Sequence, residues 1–115
     1  MPFRSADSAL PLTPIAFEIL LALADEDRHG YAILTAVEQR VQGRLPLRTG
    51  TLYRALARLV EDGFIEERNP VAGDDPRRRV YRITKRGRLV ARAETERLAD
   101  QVAAARSRKL LPGRS

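Results

Sequence analysis

Cysteine is absent from the 115 residues, which rules out a disulfide framework and any thiolate metal site. That absence also fits a reducing cytoplasm, the compartment expected here. A single histidine, His29, has no second His or Cys to join it, so it suits capping or packing better than catalysis or metal binding. Tryptophan is missing too. Long apolar runs are also lacking. The longest, Ile19 to Ala24, is six residues, against the roughly 20 of a membrane-spanning helix. The stretch Met1 to Pro14 has no apolar h-region, so no secretory signal is expected. No phosphate-cradling glycine loop and no carboxylate pair in an apolar setting appears, which leaves an enzyme the least supported class. No cofactor is expected.

What the chain does have is charge, and mostly of one sign. The composition is 43% apolar and 31% charged, a globular balance. The length allows one domain with a helical extension, and a modest core of this size gains from pairing with a second copy. A net charge of +6 points to a polyanionic partner, either nucleic acid or a membrane surface. Eight basic residues and no acid lie between Arg77 and Arg92: Arg77, Arg78, Arg79, Arg82, Lys85, Arg86, Arg88 and Arg92. A solvated face is the alternative reading of such a run. The acids cluster elsewhere, at Asp25-Glu26-Asp27 and Asp74-Asp75.

Residues 1–12 read as a flexible N-terminal arm. Thr13-Pro14 starts a helix that runs to about Ala24, with Thr13 as cap and Pro14 at the first helical position. It is apolar almost all round, Glu18 being its only charge, and should be buried on most sides. His29-Gly30-Tyr31 opens a second helix to about Gln42, with Tyr31, Leu34, Val37 and Val41 as its apolar stripe. Gly43 stops it, and Pro46 biases Leu45 toward an extended conformation. A third helix runs from Thr49 to Asp62-Gly63. Leu52, Ala55, Leu56, Leu59 and Val60 share its core arc, and Gly50, Arg54, Ala57, Arg58 and Glu61 share the opposite arc. Tyr53 lies at the border.

Phe64 to Arg68 and Arg79 to Ile83 read as the two strands of a hairpin, with the turn over Asn69 to Pro76. Thr84 caps a last helix from Lys85 to about Lys109. The fold class is therefore mainly α with a small β-hairpin, a winged helix-turn-helix followed by a C-terminal dimerisation helix. The domains expected are the arm 1–12, a winged helix-turn-helix DNA-binding domain 13–84, the dimerisation helix 85–110 and a disordered tail 111–115.

Three short helices before a basic hairpin place the third helix in the DNA major groove. Gly50 lets the helix start approach a phosphate, where free amides favour an anion. Thr49, Thr51 and Tyr53 can donate to phosphate oxygens, contacts that position without reading sequence. Arg54 and Arg58 can reach guanine O6 and N7, and Ala57 a thymine methyl. Arg77, Arg78 and Arg79 suit the neighbouring minor groove or the backbone. Tyr53 can also be a half-buried packing residue, and Arg54 and Arg58 can pair with Glu61 or Asp62.

Three spaced segments carry a family resemblance: His29-Gly30-Tyr31; Gly50 to Leu59 with Glu61-Asp62-Gly63-Phe64-Ile65; and Arg78 to Gly87. Together they resemble the PadR-like transcriptional regulators over about residues 12–92. The resemblance implies a winged helix-turn-helix repressor that binds a palindromic operator as a dimer. It puts Thr51 and Tyr53 at the DNA backbone, with the wing assisting. Many members have Ser-Pro before the Gly, where this chain has Arg48-Thr49; Arg48 joins the DNA-facing set. With no Trp, the stacked-indole ligand slot of some relatives has no counterpart.

In the last helix Leu89, Ala93, Leu98, Val102 and Ala105 approximate one face, read as the contact with a symmetry mate. A helix folded onto its own domain is the alternative. A small-molecule effector is open, since Phe3, Phe17, Phe64, Tyr31, Tyr53 and Tyr81 mostly suit core or groove positions. The partners expected are double-stranded DNA and a second copy. A winged-helix docking module for proteins is the competing function, but it calls for an apolar third helix rather than arginines. The basic final helix lacks the wide apolar face that a membrane surface requires.

Overall fold

The computed structural model describes residues 9–68, 75 and 77–112. The elements run α1 (Pro14–Leu23), β1 (Arg28–His29), α2 (Gly30–Val41), α3 (Thr49–Glu61), β2 (Ile65–Arg68), β3 (Val80–Ile83) and α4 (Lys85–Ser107). Residues 1–8 of the arm, most of the turn over Asn69 to Pro76 and residues 113–115 of the tail lie outside the described residues. Among the described residues no helix is long and apolar enough to cross a membrane.

Local sequence accounts for the helix ends. Thr13 Oγ1 accepts from the Ala16 amide at 3.1 Å, and Pro14 opens α1. Ile19, Leu20, Ala22 and Leu23 of α1 are buried. Its one charge, Glu18, is held by Arg40 of α2 at 2.8 Å. The arm does not end at residue 12 as far as packing goes, because Ala9, Leu10 and Leu12 rest half-buried on the core.

Two expectations need correction. The α2 stripe is rotated: Gly30, Ile33, Val37 and Val41 are buried, Leu34 is only half-buried, and Tyr31 is 59% exposed. The hairpin is a three-stranded antiparallel sheet in the order β1-β3-β2. Its added strand pairs Arg28 with Tyr81 and His29 with Val80. The expected hairpin itself pairs Ile65 with Ile83 and Arg68 with Val80.

The core gathers Leu52, Leu56 and Leu59 of α3 under α1 and α2, then continues through Phe64, Ile65, Tyr81 and Ile83 to Val90 of α4. The junction of α3, sheet and α4 is tight. Gly63 turns with φ +79°. Thr84 Oγ1 donates to the Gly63 carbonyl at 2.7 Å and accepts from the Gly87 amide at 3.0 Å. At Gly87 a Cβ would stand 2.0 Å from the Phe64 carbonyl oxygen, so only glycine lets α4 lie against that backbone.

Beyond this junction α4 leaves the body. Its buried residues are Gly87, Val90 and Glu94. Glu94, 2% exposed, accepts from Arg97 Nε at 2.6 Å and from the Leu12 amide at 3.3 Å. Arg97 first of all, and the Leu12 amide as well, hold the Glu94 carboxyl below its usual range against the opposing effect of burial. Leu89 and Leu98 lie nine residues apart, two and a half helical turns, and so point to nearly opposite sides of α4. Leu98, Val102 and Ala105 instead continue the Val90–Glu94 side past the body, while Leu89 and Ala93 lie on the other.

Candidate nucleic-acid interface

The outer face of α3 follows from its periodicity. Leu52, Leu56 and Leu59 turn inward, leaving Gly50, Arg54, Ala57 and Arg58 exposed. Arg48 stands at the N-cap position and offers no side-chain cap. The first-turn amides of Thr49, Gly50 and Thr51 therefore meet no capping side chain, which suits an incoming anion. Both Arg48 and Thr49 are exposed, and Thr51 is half-exposed.

Arg54 does not simply project outward. Its Nη2 donates to Thr51 Oγ1 at 3.3 Å. A Cβ on Gly50 would stand 3.3 Å from Arg54 Nη1. The guanidinium thus reaches back toward the helix start, as long helical side chains do. Gly50, Thr51 and Arg54 thereby form one basic, amide-rich corner. Arg58 lies a turn further on, ion-paired to Asp62 at 3.3 Å yet with a side chain 69% exposed.

The wing is braced on α2 by the segment His29-Gly30-Tyr31. Its amides at Gly30 and Tyr31 donate to the carbonyls of Arg79 and Arg77 at 3.1 and 3.2 Å. His29 Nδ1 donates to the Arg78 carbonyl at 2.9 Å, which fixes that nitrogen as the protonated one. The backbone that carries the wing arginines therefore also satisfies the start of α2. His29, expected to cap or pack, braces the wing through a partner 49 residues along the chain, which no local signal marks.

The three wing arginines differ. Arg77 is exposed and ion-paired to Asp75 at 2.7 Å. Arg78 is exposed, and among the described residues its guanidinium makes no hydrogen bond. Arg79 lies just before β3, paired to Glu67 of β2 at 3.1 Å with a side chain only 29% exposed. Its Nε is buried and unpartnered among the described residues. Next along β3, Arg82 pairs with Glu66. Arg86 lies over the Phe64 ring, 5.4 Å from its centroid.

Tyr53 is half-buried against the core. Its hydroxyl is shielded from solvent and has no hydrogen-bond partner among the described residues. Burial pushes the phenol above its usual pKa, opposed by Arg77 and reinforced by Asp75 and Tyr31. Tyr53 therefore sits beneath the wing root rather than standing out beside Arg54. A groove of about 830 Å³ borders the other edge of α3 and is lined by Leu12, Ala16, Thr51, Arg54, Arg58 and Phe64 among others.

Known proteins align with this arrangement. Residues 19–93 match the model of the transcriptional regulator PadR-like family. A transcriptional regulator from Clostridium thermocellum is 27% identical, with TM-score 0.66 over 81% of this chain and 87% of that one. A PadR family transcription regulator from Clostridium difficile superposes with TM-score 0.69 over 83% of this chain and 97% of that one, at 23% identity. An uncharacterised protein of Lysinibacillus sphaericus is 31% identical over 70 residues, which span 61% of this chain and 64% of that protein's length. The fold and the family match agree: this chain has a winged-helix fold and belongs to the PadR-like family of transcriptional regulators.

Proposed function

We propose that the protein is a dimeric repressor that binds a palindromic operator. The exposed face Gly50-Arg54-Ala57-Arg58, flanked by Arg77 and Arg78, carries this reading. Thr49, Gly50 and Thr51 anchor the helix start on phosphate, with Arg48 adding charge. Arg54, Ala57 and Arg58 read bases in the major groove. Arg77 and Arg78 hold the flanking backbone, and Arg79 contributes chiefly by keeping the wing in shape.

A second copy covers the free part of α4. Leu98, Val102 and Ala105 lie on one side there, and Val102 is 43% exposed. Leu110 and Leu111 add exposed apolar surface just beyond the helix. Packing this side against its mate removes apolar area from water and spaces the two α3 helices about one DNA turn apart, on the order of 34 Å. A small-molecule effector fits the same scheme. A ligand in the groove beside α3 would occupy Thr51, Arg54 and Arg58 and so exclude DNA. The cytoplasm is the compartment in which such a regulator works.

Sequencing the DNA that co-purifies with the protein tests the reading. The expected product is an inverted repeat with half-site centres about 10 base pairs, one helical turn, apart. Sequences without a shared motif would overturn it. A stable monomer at micromolar concentration in analytical ultracentrifugation would overturn the dimer.

A further inference from the structure

Arg77 is held by a carboxylate in the way a phosphate would hold it. Its Nη2 lies 2.7 Å from Asp75 Oδ2, and its Nε lies 3.1 and 3.2 Å from the two carboxylate oxygens. Arginine meets phosphate with the same fork of donors. Both side chains remain open to solvent, Arg77 at 65% and Asp75 at 36%, so the pair can exchange partners. Arg77 pulls the Asp75 carboxyl down to about 2, so it stays charged at neutral pH. Asp75 also accepts from the Arg77 amide at 2.9 Å, which shapes the turn into β3. Close by, the Tyr53 hydroxyl is shielded and without a partner among the described residues.

We infer that Asp75 competes with DNA phosphate for Arg77 and thereby holds down the sequence-independent part of the protein's DNA affinity. The inference rests on the wing contacting DNA as proposed above. In free protein the pair is closed. On DNA, Arg77 transfers to a phosphate oxygen and Asp75 is left to water. Every duplex must displace this contact before the wing can grip it. Binding to unrelated DNA is weakened at a point where no base is read.

A double-mutant cycle on a mixed-sequence duplex, read by fluorescence anisotropy at one fixed salt concentration, tests this. Asn keeps an oxygen for the Arg77 amide, so D75N preserves the turn while removing the charge. D75N is expected to tighten binding roughly three- to fivefold per subunit, the upper part of the range of an exposed ion pair. R77A is expected to weaken binding. In the R77A background D75N should tighten binding by less than about twofold, since no arginine remains to be released. Equal tightening in both backgrounds would mean that Asp75 merely repels phosphate, and the competition would be refuted while the wing contact stood. If R77A alone left affinity unchanged, the wing contact would fail and the competition with it.

Discussion

The outer face of α3 and the root of the wing are both basic, yet their arginines are held differently. On α3, Arg54 leans on a neutral hydroxyl, that of Thr51. In the wing, Arg77 and Arg79 before β3 and Arg82 within it each face a carboxylate, from Asp75, Glu67 and Glu66. A charge that leans on a hydroxyl can turn to an incoming phosphate or base at little cost. A charge already matched must first leave its partner. Counting basic residues therefore overstates what the wing offers relative to α3. Arg58, paired with Asp62 yet well exposed, lies between the two cases.

Both regions ride on the junction of α3, sheet and α4, and breaking that junction gives the largest effect. Gly87→Ala forces a Cβ to 2.0 Å from the Phe64 carbonyl oxygen. It should cost about 3 kcal/mol in urea unfolding, the upper range for overpacking. Next in size, Arg54→Ala and Arg58→Ala should each lose about 1–3 kcal/mol on operator DNA and relax base preference. Competition gel shifts with operator and scrambled duplexes measure this; an unchanged preference would remove base reading from α3.

The wing supplies a sharper contrast at lower cost. Arg78→Ala should weaken binding alike on all sequences and reduce the log–log salt slope by about one per subunit. Arg79→Ala should leave that slope in place and instead lower thermal stability, by about 1 kcal/mol, because Glu67 loses its partner. If Arg79→Ala changed the salt slope as Arg78→Ala does, Arg79 would belong to the interface after all. Tyr53→Phe gives the smallest change. It removes a shielded hydroxyl without a partner among the described residues, so stability should hold within about 0.5 kcal/mol or rise slightly. A clear loss of stability in the same unfolding assay would reveal a partner for that hydroxyl.

The sequence showed most clearly what repeats with a helical period. Leu52, Leu56 and Leu59 place the inner side of α3 and, with it, the outward side of Gly50, Arg54, Ala57 and Arg58. Caps at Thr13 and Thr84 follow from local chemistry, because a hydroxyl three residues before a free amide can reach it. What depended on distant partners could not be read in this way. Two residues, Arg28 and His29, are too short to show strand alternation, and their place is fixed by Tyr81 and Val80 far along the chain. That pairing, with the amide bonds at Gly30 and Tyr31, sets the rotation of α2 and turns Tyr31 outward in place of Ile33. Arg79 looked like its neighbours until strand register set it beside Glu67. Glu94 gives no local signal of burial, because its acceptors serve Arg97 and the Leu12 amide, 82 residues away in the chain.

Glu94 also marks the point where α4 leaves the body. It is the last residue of the helix to be buried, and the helix runs on to Ser107. At 1.5 Å per residue the free arm is about 20 Å long, so a tilt of about 10° at Glu94 moves its tip by about 3 Å. That is close to the rise of one base pair. The Leu12 amide on the same carboxylate ties this fulcrum to the segment leading into α1. A tilt of α4 set at the front of the domain would therefore be magnified at the far end of the helix into a step on the scale of the DNA's own repeat.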